Sequence, residues 1–224
     1  MRFATLLRKD ILIELRGREV IAITVGLALM LAVVTAFGIG TAFLLPPQLI
    51  AIFPTLTWLI FIFSATVGLG RSLESETQDG AMEGLLVAGV SPAQIYSTKV
   101  ISNGLVLCLS SLVGMSALAL LFAVDLSGSW IALVPICAFV VFGYSSLATL
   151  LTAMCAPSKL RGVLLPLILL PVVAPLFFAA IELTRGAMEN GQILLESPWL
   201  SLLVGLDVVY FLLGLNLYSA AIRE

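Results

Sequence analysis

Six stretches of this sequence run for about twenty residues or more with scarcely a charge among them, and that pattern leaves little choice of fold. They fall approximately at Val20–Leu45, Leu49–Gly70, Ile95–Val124, Trp130–Ala153, Val163–Leu183 and Pro198–Ile222. A helix of ~20 apolar residues crosses the ~30 Å hydrocarbon core of a bilayer. It also pairs its backbone N–H and C=O groups internally, where no water is present to do so. An all-α integral membrane protein with six transmembrane helices is therefore the expected fold. Composition agrees: 61% of the residues are hydrophobic and 11% are charged, with a mean hydropathy of +1.17. A soluble domain carries ~25% charged residues.

Several function classes drop out at once. A net charge of −2 removes nucleic acid as an electrostatic partner. No histidine occurs, which takes away the commonest metal ligand, proton shuttle and haem ligand. The three cysteines, Cys108, Cys137 and Cys155, stand in or beside apolar segments without C-x-x-C spacing and read as small buried hydrophobes. Phosphate-loop, H-E-x-x-H and G-x-S-x-G motifs are all missing, so the chain is not expected to be an enzyme. The first 19 residues hold five basic and three acidic groups and lack a cleavable signal. They place Phe3, Leu6, Leu7, Ile11 and Leu15 near one face, as in an amphipathic helix lying at the membrane interface.

Orientation follows from the basic residues. With the N-terminus inside, Arg2, Arg8, Lys9, Arg16, Arg18, Arg71, Lys99, Lys159, Arg161 and Arg223 are all inside and only Arg185 is outside. Ten against one predicts cytoplasmic termini. Pro46-Pro47 and Asp125–Ser129 read as tight outer turns, and Thr184–Ser197 as a longer outer connection able to form a small cap. Trp130 and Trp199 sit where outer interfacial anchors belong.

The long polar break, Arg71–Gln94, is then cytoplasmic. Glu74, Glu76, Asp79 and Glu83 crowd into ten residues, and Met82, Leu85, Leu86 and Gly89 follow at helical spacing. Gly89 suits a helix stop, Ser91 an N-cap, Pro92 a first helical position and Gln94 a capping box. A helix of ~10 residues, ~15 Å long, is too short to span a bilayer and suits docking to something outside it.

Two features lie within the spans. Asp207, near the middle of the sixth, is a functional candidate by default. The alternative is a neutral acid, or one hydrogen-bonded to a hydroxyl on a neighbouring helix. Pro166, Pro171 and Pro175 fall within ten residues of the fifth span, more than one bend requires, and point to a bent or mobile helix. Gly104 and Gly114 of the third span are suited to close helix approach.

The segment E-x-E-x-x-D-G-A-M-E-G-L-L-V-A-G-V-S-P, with Lys99 beyond it, resembles the loop between spans two and three of six-span ABC-2 permeases. Within that group the chain is similar to CcmB, the haem exporter protein B of cytochrome c maturation. The likeness rests on Thr77–Leu86 (T-Q-D-G-A-M-E-G-L-L), on Leu164–Leu176 with its spaced prolines, and on Lys9–Arg16 (K-D-I-L-I-E-L-R). It implies one permease domain over 1–224, with an interfacial helix at 1–19 and a coupling loop and helix at 72–91. Glu74, Glu76, Gln78, Asp79, Gly80, Glu83 and Leu86 would contact a separate CcmA-like ATP-binding subunit. Two copies of the chain would share a complex in a bacterial inner membrane. ATP and haem would sit on other subunits, haem on CcmC-like and CcmD-like partners that load a CcmE-like chaperone, with no cofactor bound here. Without histidine, Met, Cys or Tyr would be the only axial ligands this chain could offer haem. The alternatives are an ABC-2 exporter of a lipid-linked glycan or drug, or a scaffold that transports nothing.

Overall fold

Every apolar segment forms a helix. The structure, a computed structural model, describes residues 7–9, 11, 19–39, 46–78, 90–155, 158, 160–192 and 196–221. Its six long helices are α1 (Glu19–Ile39), α2 (Pro46–Gln78), α3 (Pro92–Phe122), α4 (Trp130–Cys155), α5 (Arg161–Asn190) and α6 (Pro198–Ala221). All six are long and apolar enough to cross a membrane, and no strand occurs among the described residues. Successive helices run up and down, so the start of α1 and the end of α6 share one end of the bundle. That end is called proximal here and the other distal.

Three segment boundaries differ from the sequence expectation. Pro46 and Pro47 are the first residues of α2 and not a turn before it, in keeping with the helical φ that proline presets. At its other end α2 continues through Arg71–Gln78, beyond the apolar window that stops at Gly70. Glu74, Glu76 and Gln78 therefore stand on the last turns of a helix, not in a loop. The backbone bonds of those turns extend a ladder already nucleated in the bilayer, so polar side chains do not stop it. The third difference is at the distal end, where α5 reaches Asn190 and no separate cap forms over 184–190. Gly191 ends it in the left-handed region at φ 70°, its N–H bonded to the Ala187 carbonyl at 2.9 Å. α1 is described to Ile39, and the expected remainder of that span, 40–45, lies outside the described residues.

Other local expectations are met. Ser91 caps α3 with extended backbone (φ −72°, ψ 142°), its hydroxyl accepting from the Gln94 N–H at 3.3 Å, and Pro92 follows. Asp125 turns the chain between α3 and α4 by accepting from the Ser127 N–H at 2.9 Å. Leu7–Lys9 and Ile11 are helical, with Arg8 and Lys9 exposed; the rest of the interfacial segment before Glu19 lies outside the described residues.

α4 is the hub. It packs against α3, α5 and α6, while α1 covers α2 and α3 on one flank. Of α4's apolar window 67% is buried, against 22% for α1 and for α6. The core is built around aromatic rings from α2, α4 and α5. Phe61 meets Trp58 edge-on at 5.8 Å and Tyr144 at 5.3 Å, and Phe177 closes the group at 6.0 Å from Phe61. Their polar tips are matched: Trp58 Nε1 donates to Thr184 Oγ1 at 2.9 Å, and the Tyr144 hydroxyl pairs with Thr66 Oγ1 at 2.9 Å.

Candidate functional site

Two regions carry chemistry that packing alone does not require. The first is the acidic connection at the proximal end. α2 has 33 residues, ~50 Å at ~1.5 Å per residue, well beyond the ~30 Å hydrocarbon core. Its eight residues past Gly70 carry Glu74, Glu76 and Gln78 about 6 to 12 Å beyond the apolar window. The chain returns at Val90 and enters α3 through the Ser91 cap. Asp79, Gly80, Glu83 and Leu86 fall within 79–89, which lies outside the described residues.

The second region is the buried face of α6. Leu203, Asp207, Tyr210, Gly214 and Tyr218 are its buried residues, spaced four, three, four and four apart. That is one stripe of a helix, and all but its first member are polar, aromatic or glycine. Tyr218 packs on Tyr96 of α3 at 5.3 Å between ring centroids. Gly214 lies against the same ring, where a methyl group would overlap it. The Tyr96 hydroxyl crosses to α4 and donates to the Ser146 carbonyl at 2.9 Å.

One turn toward the distal end, the Tyr210 hydroxyl donates to the Val172 carbonyl of α5 at 2.7 Å. Val172 stands three residues before Pro175, where the ring disturbs the helical ladder. The bond ties α6 to α5 one residue after Pro171, whose carbonyl is the one that Pro175 leaves without its helical donor. Pro166, Pro171 and Pro175 all lie inside α5, which stays helical through them. Pro54 and Pro135 likewise sit inside α2 and α4.

Asp207 is unlike its neighbours. It is 3% exposed, and neither carboxylate oxygen has a hydrogen-bond partner. The hydroxyl partner that the sequence left open for it is not there among the described residues. Its carboxyl lies over the bare backbone of Gly143 on α4, in a space that a side chain at that position would fill, with Leu176 of α5 alongside. Between this acid and the flank of the bundle is a cavity of about 210 Å³, lined by Phe139, Phe142, Val204, Val208, Phe211 and Leu212.

Other polar and small residues of the spans resolve more simply. Glu182, at the distal end, accepts from Arg185 Nη1 at 2.7 Å, and both side chains are partly exposed. Gly114 permits the approach of α1, where an added methyl would touch Ala28 at 3.4 Å; Gly104 makes only ordinary contacts. Cys137 is buried and donates to Ser111 Oγ at 3.0 Å. No group of three or more Cys, Asp or Glu stands together as a metal site among the described residues. Sequence reasoning did not single out Gly143, Tyr210 or the Trp58–Thr184 pair. For Tyr210 and Gly214 a signal exists, since both share the helical stripe of Asp207 in an otherwise aliphatic span.

No curated protein matches the chain. A family model described as CcmB protein does match, over residues 1–224, and the chain belongs to the CcmB family.

Proposed function

We propose that this chain is the membrane permease subunit of an ABC-type complex, and that ATP hydrolysis on a separate subunit reaches it through the acidic connection between α2 and α3. Family membership supports a haem-exporter permease role in cytochrome c maturation, and a place in a complex that includes an ATPase. The carrying observation is the family match over residues 1–224, joined to the way α2 runs past its apolar window toward that connection. A helix continuous from the acidic segment into the bundle transmits a push as a rigid rod, whereas a flexible loop would absorb it.

In this reading Glu74, Glu76, Gln78, Asp79, Gly80, Glu83 and Leu86 meet a groove of the ATP-binding subunit, the carboxylates facing basic residues there. Two copies of the chain rock against each other as two ATP-binding subunits close. The prolines of α5, with Tyr210 holding the Val172 carbonyl, provide a bend whose geometry such rocking changes. Haem and ATP reside on other subunits, and the energy releases a haem-loaded chaperone on the distal side. The termini and the acidic connection face the cytoplasm of a bacterial cell, across its inner membrane.

The experiment is co-purification of the complex from membranes with and without charge reversal at Asp79 and Glu83. The ATP-binding subunit is expected to come with the native protein. In the Asp79→Lys, Glu83→Lys variant it is lost, or its ATPase activity no longer responds to the permease. A variant that keeps both association and stimulation would refute coupling through this segment and leave a scaffold role.

A further inference from the structure

The packing of α3 on α4 draws Cys108 and Cys137 together, and the coupling reading gives them no task. Val100, Gly104 and Cys108 follow at steps of four on α3, and Ser145, Val141 and Cys137 do so in reverse on α4. Each pair meets. Ser145 Oγ donates to the Val100 carbonyl at 2.9 Å. A methyl group on Gly104 would stand 4.0 Å from Val141 Cγ1, so the two helices approach closely at that turn. One turn further along the same line, the Cys108 and Cys137 thiols are hydrogen-bonded to each other. Ser111, three residues past Cys108, accepts from Cys137 at 3.0 Å and holds that sulfur in place.

The pair is reached from one side. Cys137 is buried and Cys108 only half-buried, and Leu105 and Leu109 beside it on α3 are 53% and 47% exposed on the flank of the bundle. Both thiols lie inside apolar spans, Pro92–Phe122 and Trp130–Cys155. An oxidant that meets Cys108 there has to dissolve in the bilayer. A disulfide sets its sulfurs ~2.05 Å apart and its Cα atoms within ~7 Å. Thiols already in contact, next to the turn where Gly104 lets the backbones close in, need side-chain rotation more than helix movement.

We propose that Cys108 and Cys137 are a redox site, oxidised by a lipid-dissolved quinone to a disulfide that staples α3 to α4. Both S–H bonds break and one S–S bond forms. The two protons and two electrons released convert the quinone to its quinol. Cys108, the reachable sulfur, gives up its proton first, and the Cys137 S–H is placed to donate to the sulfur left behind. Cys137 yields its own proton as the two sulfurs join. The staple fixes α3, which the acidic connection enters, to α4, the hub, whatever docks at that connection.

The test uses the intact complex in phosphatidylcholine vesicles under argon, with duroquinone as the lipid-dissolved oxidant and oxidised glutathione as the water-soluble one. After duroquinone, alkylation of Cys108 and Cys137 in denaturant is expected to fall at least fivefold, and a Cys108–Cys137 linked peptide to appear by mass spectrometry. Duroquinol formed should exceed that of the Cys108→Ser complex by one per linked chain. Oxidised glutathione should leave both thiols free. In a Cys108→Ser chain carrying Leu105→Cys, which lies on the exposed flank, no link to Cys137 should form. Two thiols that stay free under duroquinone would overturn the proposal. So would a link equally well made by oxidised glutathione, a link through Cys155, or a link from position 105. Association of the ATP-binding subunit is scored separately and bears on the coupling proposal alone.

Discussion

Of the places where the bundle buries polar groups, two on either side of α4 are treated differently. Among α2, α4 and α5, the Trp58 and Tyr144 tips find Thr184 and Thr66 at 2.9 Å each, inside a cluster of aromatic rings. Between α4 and α6, Asp207 is buried as thoroughly and finds nothing. Satisfied polar pairs in a membrane core specify which helix meets which and resist change. An unpartnered acid supplies no such pairing. The first region is architecture, and the second holds a polar group that packing alone does not require.

That contrast can be broken by substitution. Trp58→Ala should have the largest effect, ~3–5 kcal/mol, because it empties the ring cluster and orphans Thr184; unfolding in mixed micelles measures it. Gly214→Ala should follow at ~1–3 kcal/mol, since Tyr96, anchored to the Ser146 carbonyl, has nowhere to retreat. Tyr210→Phe removes the bond from α6 to the Val172 carbonyl and should cost ~1 kcal/mol or less, in line with single interhelical hydrogen bonds in membranes.

Asp207→Leu is the sharpest comparison. In the purified chain it should be neutral or stabilising, within ~1 kcal/mol, because it removes an unpaired acceptor. A loss as large as that of Trp58→Ala would place Asp207 in the architecture after all.

The smallest effect belongs to the distal turn. The Ser127 backbone N–H, and then its hydroxyl, hold the exposed Asp125 carboxyl below the usual carboxylate range. Its folded pKa lies below the unfolded one, so its contribution is present above the unfolded value, ~3.9, and fades as pH falls through the folded value. Asp125→Ala should remove that acid-side slope from a pH series of melting temperatures and change little at neutral pH.

Much of this protein was legible because a bilayer reads composition directly. Six apolar runs become six helices since no other open structure satisfies its backbone in hydrocarbon, and the start of α3 was written in Ser91 and Pro92. Helix ends outside the apolar window were harder. α2 and α5 each ran about two turns beyond their expected limits, because hydrogen-bonded backbone propagates past the residues that initiated it. The acidic segment and Asp207 stood out as polar residues in apolar surroundings, and the family likeness rested on local motifs readable in order.

What the sequence by itself determined, then, is the class of fold, the count of spans, the family and the positions of unusual residues along the chain. Only the tertiary structure decided which of those residues meet. That Asp207 faces Gly143 and no donor, that Tyr210 serves the carbonyl near Pro175, and that Trp58 finds Thr184 126 positions away all depend on how helices rotate and cross. Those angles are set by the summed packing of many side chains on several helices, and no short stretch of sequence contains that sum.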